Sequence, residues 1–136
     1  MDKVERQTFG KNERLCRTKL IDEIFENGSV FHTSLFKVVW IKSSIGLPSR
    51  AQVAVSVPKR SIRLAVTRNL IKRRIREAYR KQKHLLYSLL DSENIRVTFV
   101  IIYRLSSVAE YNVIEKSVGE LIEKLCDNIL KKQDKR

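Results

Sequence analysis

The sequence predicts a single α+β domain: a four-stranded, mostly antiparallel sheet with three helices, in the order α-β-β-β-α-β-α. Three observations lead there. Apolar residues recur with a period of two between residues 28 and 57, and with helical spacing on either side of that stretch. The run RVTFVIIYR, residues 96–104, is apolar on both faces, as a central strand must be. Between them lies a long helical pattern with a cationic outer side. At 136 residues the chain suffices for one core, and no repeat or low-complexity block divides it.

Residues 1–14 are polar and basic, with only Val4 and Phe9 apolar after Met1, and are expected to form a flexible segment. The folded domain is expected over residues 15–131, with a charged tail at 132–136. Thr18 is a candidate N-cap for the first helix; Leu20, Ile21, Ile24 and Phe25 give it an apolar side, and Asn27-Gly28 stops it. SVFHT, 29–33, reads as a short edge strand. In LFKVVWIK, 35–42, Phe36, Val38 and Trp40 alternate with Leu35, Lys37, Val39 and Ile41. After the turn-rich SSIGLPSR, AQVAVSV sets Ala51, Val53, Val55 and Val57 against Gln52, Ala54 and Ser56, and Pro58 ends the strand. These three strands, joined by short connections, are expected to pair consecutively and antiparallel.

The long helix follows, with Ile71, Ile75, Ala78, Leu85 and Leu89 as its apolar seam. It crosses over to deliver the fourth strand after a loop at Asp91–Asn94. The last helix runs from about Glu110 to Leu130, where Ile114, Val118, Leu121, Ile122, Leu125 and Ile129 repeat at helical spacing opposite Glu115, Glu120, Glu123 and Lys124. One face of the sheet is left for helix packing, and the other is partly open.

Lys and Arg number 28 against 15 acidic residues, a net charge of +13. Such an excess opposes compactness by self-repulsion, so it points to an anionic partner, nucleic acid before acidic membrane. The hydrophobic fraction of 43% excludes a disordered basic tail. No apolar run reaches the ~18 residues of a membrane span, and the start lacks the apolar core of a signal peptide. Cys16 and Cys126 fit no metal or redox spacing and read as reduced thiols of a cytosolic protein.

On the long helix, Asn69, Lys72, Arg73, Arg76, Arg80 and Lys83 gather opposite the seam, with Arg68 at the flank. From Lys59 to Lys83 only Glu77 is acidic. A face that serves solubility mixes both signs; a face of one sign suits a polyanion, each cation meeting a separate phosphate. A leucine-zipper arm is excluded, because the helix leads into a loop and a buried strand. Arg68-Asn69, near the helix start, is placed to clamp either a phosphate or a folded turn of backbone. Phe25, Phe31, Phe36 and Trp40 line either the core or an open sheet face, where single-stranded RNA bases stack.

Asp22, Glu23 and Glu26 form a solvated helix face without His or Cys beside them. His32 and His84 have no Ser, Cys or carboxylate at a spacing that would support acid–base chemistry. The chain therefore reads as a binding protein without a catalytic centre of its own.

SVPKRSIRLAVTRNLIKRRIREAYR, residues 56–80, resembles the signature segment of the bacterial ribonuclease P protein subunit family. RLCRTKLIDEIFENG, residues 14–28, is similar to that family's first helix and its Phe-x-x-Gly ending. The resemblance spans roughly residues 14 to 104. It implies an RNA-binding subunit that assists a catalytic RNA in removing the 5′ leader of precursor tRNA. Mg²⁺ would be held mainly by the RNA. It also implies a left-handed β-α-β crossover, against the usual right-handed rule; the chain itself reads as cytoplasmic, with no obligate protein partner evident.

By position, the resemblance assigns Arg68, Asn69, Lys72, Arg73, Arg76 and Arg80 to contact with the catalytic RNA, with Lys59, Arg60 and Arg63 in the basic turn before them. It assigns Phe25, Lys37 and Val39 to the cleft that holds the leader. Leu70 stands where the signature has a second Arg, and Ile21 where the first helix has another cleft aromatic. The rival reading is a basic structural RNA-binding protein of the ribosome, and a third, a self-sufficient nuclease, has no metal cluster to support it.

Overall fold

The strand that is apolar on both faces takes an interior position in the sheet and fixes the topology. In the computed structural model, which describes residues 13–14, 18–43 and 49–134, the elements in chain order are α1 (Thr18–Asn27), β1 (Ser29–His32), β2 (Phe36–Ser43), β3 (Ala51–Ser56), α2 (Ala65–Gln82), α3 (His84–Glu93), β4 (Arg96–Tyr103) and α4 (Tyr111–Asp134). The strands lie in the order β1-β2-β4-β3. β1 pairs antiparallel with β2, and β2 antiparallel with β4, but β3 pairs parallel with β4.

Two expectations are corrected. The sheet is mixed, because β3 does not follow β2 as an antiparallel neighbour. A strand buried on both faces needs a partner along each edge, and β4 obtains them by separating β2 from β3. There are also four helices, not three. The long helix breaks at Lys83, whose backbone stays in the right-handed helical region, and α3 starts at the next residue. Past the break the buried positions are Leu86, Tyr87 and Leu90, while Leu85 of the expected seam is exposed. Residues Asp91–Glu93, expected in a loop, complete α3, which Asn94 closes at φ 53° and ψ 47°, a left-handed conformation that Asn tolerates.

Strand alternation then divides the sheet into two faces. Phe36, Val38 and Trp40 of β2 join Ala51 and Val53 of β3 and Val97, Phe99, Ile101 and Tyr103 of β4 beneath α2, α3 and α4 in the main core. Phe99 meets Tyr79 of α2 edge to face, ring centroids 5.9 Å apart. Helices α2 and α4 approach closely enough that a Cβ on Gly119 would sit 2.7 Å from Oε1 of Gln82, and Gln82 Nε2 donates to the Glu115 carbonyl at 2.9 Å. The opposite face carries a smaller cluster, Ile24 of α1 over Val39 and Val100.

Both chain ends are more structured than their composition implies, within the described residues. Arg14 forms a parallel bridge to Val53 on β3. Glu13 accepts hydrogen bonds from the Lys83 ammonium and the Tyr87 hydroxyl. Residues 1–12 of the expected flexible segment lie outside the described residues. At the other end α4 continues to Asp134, so the expected tail begins as helix, with Lys132 Nζ 5.1 Å from the Trp40 ring centroid.

Candidate nucleic-acid interface

Helix α2 buries Ile71, Ile75, Ala78 and Tyr79. At 100° per residue Asn69, Arg73, Arg76 and Arg80 then project away from the core, with Lys72 at the side. Asn69 and Arg73 are exposed, as are Lys59, Arg60 and Arg63 in the turn that leads into the helix. Lys72 and Arg76 are half-buried. From Asn69 to Arg80 the expected stripe therefore runs along one side of one element, together with its entry turn, and Lys83 leaves it.

Several cations of this region are engaged within the protein, Arg68, Arg80 and Lys83 among them. Arg68 Nη1 donates to the carbonyls of Ile62 at 3.0 Å and Arg63 at 2.7 Å, so of the two roles open to it this nitrogen takes the backbone-turn role. Arg80 meets Glu77 through Nε at 3.0 Å and Nη2 at 2.6 Å. That hydrogen bond holds the Glu77 carboxyl below its ordinary value. Lys83, placed on the stripe by helical spacing, is instead 7% exposed and paired with Glu13. The break after α2 turns it toward β3 and the N-terminal segment. Burial raises the pKa of both Tyr79 and Tyr87 beside this pair, so they stay neutral.

The second candidate region is the α1 face of the sheet. Gly28 lets α1 close down on it: its amide donates to the Ile24 carbonyl at 2.7 Å, and an added Cβ would meet the Trp40 carbonyl and Val39 Cγ1 at 2.9 Å each. Phe25 stays 52% exposed on α1, and Val30 is exposed on β1. Phe36 and Trp40 belong to the core, with Phe31 packed against it, so Phe25 alone of the four aromatics named from sequence presents a free ring. Lys37 lies half-buried on this face, opposite His32 of β1 and Ile102 of β4. Val39, expected in the cleft, is 2% exposed beneath Ile24, where it supports α1 and offers little surface. Ile21 packs against the same small cluster.

Among the described residues no three His, Cys, Asp or Glu side chains come together as a metal site, and no helix is long and apolar enough to cross a membrane. Cys126 is a free thiol pushed up to about 11 by burial, and Cys16 lies outside the described residues.

The family described as Ribonuclease P matches residues 9–126. The chain belongs to the ribonuclease P protein family. The ribonuclease P protein component of Porphyromonas gingivalis is 32% identical over 124 residues, covering 90% of each chain. That of Citrifermentans bemidjiense is 40% identical over 80 residues, 59% of this chain and 66% of the relative. In fold, the chain is similar to the RNase P protein of Staphylococcus aureus, with a TM-score of 0.62, 22% identity and coverage of 83% of this chain and 94% of the other. For the Thermotoga maritima protein the TM-score is 0.62, with 23% identity and coverage of 82% and 96%.

Membership makes this chain an RNA-binding protein component of ribonuclease P, the endoribonuclease of tRNA 5′ processing, and disfavours the ribosomal reading. The signature segment, residues 56–80, forms the end of β3, the turn after it and most of α2. It gives no sign of the Glu13–Lys83–Tyr87 cluster, in which Glu13 stands 70 and 74 residues from its two partners in sequence. Nor did any motif announce Arg74, whose Nη1 donates to the Ala109 carbonyl at 2.8 Å and ties α2 to the segment before α4.

Proposed function

We propose that α2 and its entry turn grip the catalytic RNA, through Lys59, Arg60, Arg63, Arg68, Asn69, Lys72, Arg73, Arg76 and Arg80, while the α1 face holds the single-stranded 5′ leader of precursor tRNA. In this reading the RNA subunit and its Mg²⁺ cleave the phosphodiester between leader and mature tRNA. The protein neutralises backbone phosphates and positions substrate. Phe25 supplies a ring for a leader base, Lys37 a charge for a leader phosphate, and Val39 the packing that seats α1. The protein works in the cytoplasm, without an obligate protein partner, and its parallel β3-to-β4 connection takes the left-handed path of its family.

The observation that carries this reading is the predominantly cationic outer side of α2: its one acid, Glu77, is occupied by Arg80, and among the described residues Lys72 and Arg73 have no carboxylate against them. Neutralising six to eight phosphates gives a log–log salt slope of about 5 to 7 in magnitude. Affinity for the ribonuclease P RNA of the same organism, measured over a salt series, should show it. Lys72→Ala with Arg73→Ala should lower that slope by about 2 and leave thermal unfolding within about 0.5 kcal/mol of the parent. A slope below about 1 for the parent protein would remove α2 as the RNA interface. Reconstitution at low Mg²⁺ gives the functional test: tRNA maturation that does not respond to added protein contradicts the assigned role.

A further inference from the structure

The basic turn and the start of α2 also present apolar surface. Leu64 is 70% exposed and Val66 82% exposed. Leu64 is the N-cap of α2, with φ −77° and ψ 124°, and makes no side-chain hydrogen bond to the first turn. Ser, Thr, Asp and Asn are strongly preferred at that position because their oxygens satisfy a free amide, and Leu is among the poor choices. Neither core packing nor capping therefore accounts for Leu64. Leu70, half-buried one turn beyond Val66, continues the apolar strip along the helix.

The strip does not hang on a loose loop. Arg68 Nη1 bonds the carbonyls of Ile62 and Arg63, so the residues immediately before Leu64 are fixed to the helix that follows it. Arg60 and Arg63 stand exposed on the approach, and Asn69 and Arg73 on the helix beyond. An apolar strip ringed by cations is complementary to a partner with negative charge and flat apolar faces. It is continuous with the cationic side of α2, which selects RNA over a protein surface.

We propose that Leu64 and Val66 pack against an unstacked base or ribose face of the ribonuclease P RNA, adding a salt-independent contribution beside the phosphate contacts. This rests on the function proposed above. It assigns the apolar strip to specificity for RNA and the cations around it to general attraction for polyanions.

The full chain carrying Leu64→Ser and Val66→Ser is compared with the parent for binding to two probes: the ribonuclease P RNA across a salt series, and inorganic polyphosphate, a polyanion without bases. The expected result is about a tenfold loss on the RNA at every salt concentration with an unchanged slope, and no loss on polyphosphate. Leu64→Met with Val66→Ile, which keeps apolar surface, should bind the RNA as the parent does. Equal RNA affinity for the Ser variant, an equal loss on polyphosphate, or a parent dimer that the Ser variant converts to monomer would each overturn the inference while leaving the function standing. A parent that binds the ribonuclease P RNA no better than an unrelated structured RNA would overturn both.

Discussion

On the face that carries Phe36, Trp40, Phe99 and Tyr103 the sheet meets three helices; on the face that carries Lys37, Val39 and Val100 it meets one. The same strands supply both, since adjacent residues point to opposite sides. The first face is closed by α2, α3 and α4, and nearly every side chain it offers is buried. The second is closed only where Ile24 sits over Val39 and Val100, with Ile41, Ala54 and Ile102 partly buried around them and Lys37 beside them. A sheet covered on one face has stability to spare for an opposite face that keeps a cation and partly exposed apolar groups. Substitutions on the first face should act on folding, and those on the second on binding.

The largest effect belongs to the covered face. Phe99 is fully buried against Tyr79, and Phe99→Ala should destabilise the fold by about 3–5 kcal/mol, through lost burial and the cavity left behind. Thermal or urea unfolding measures it. A loss under about 1 kcal/mol would mean that the helices can close over the gap, and would weaken the contrast between the faces. Gly28→Ala tests the hinge where the second face is assembled. Its Cβ would press on the Ile24 and Trp40 carbonyls, both backbone and unable to yield as a side chain can, so a cost of about 1–3 kcal/mol is expected. The accompanying shift of α1 should lower affinity for leader-bearing precursor tRNA while binding of the catalytic RNA through α2 persists. Loss of both together would show that the two regions are mechanically coupled.

Much of this contrast is legible in the sequence, because alternation is a local property. Phe36, Val38 and Trp40 separate from Lys37, Val39 and Ile41 by parity alone, and the structure keeps that separation, except that Leu35, just before β2, joins the main core. The cationic excess along the outer side of α2 is equally local. What escaped depends on contacts between distant residues. A strand apolar on both faces demands neighbours on both edges, yet sequence order invites β1, β2 and β3 to pair in succession; the first requirement wins, and β4 inserts between β2 and β3. The break at Lys83 has no Gly or Pro to mark it, and Lys83 is buried in a pair with Glu13, seventy residues earlier in sequence. The resemblance assigns Phe25 to the cleft, but its 52% exposure, which keeps it out of the core, is a tertiary fact.

That exposure makes Phe25→Ala the sharper test of the second face. Stability should change by no more than about 0.5 kcal/mol. Affinity for precursor tRNA with a long leader should fall about tenfold, in line with the loss of one base–aromatic stack, and affinity for leaderless tRNA should not change. Equal losses on both substrates would place the ring's role in the protein's own packing and return Phe25 to the structural side of the comparison.

The smallest expected effect is that of Lys37→Ala. Lys37 pairs across β1 and β4 with His32 and Ile102, so truncation leaves the sheet's hydrogen bonding intact and the fold within about 0.5 kcal/mol of the parent. If its ammonium meets one leader phosphate, removing it takes about 0.7 from the salt slope of the leader-dependent part of binding, the share of one single-strand phosphate. Over a fourfold change in salt that is about a 2.6-fold difference, readable only by subtracting the leaderless substrate from the leader-bearing one at each concentration. A change of slope that appears on both substrates would assign Lys37 to the mature tRNA or to the catalytic RNA, and the α1 face would then extend the α2 interface and not form a separate leader site.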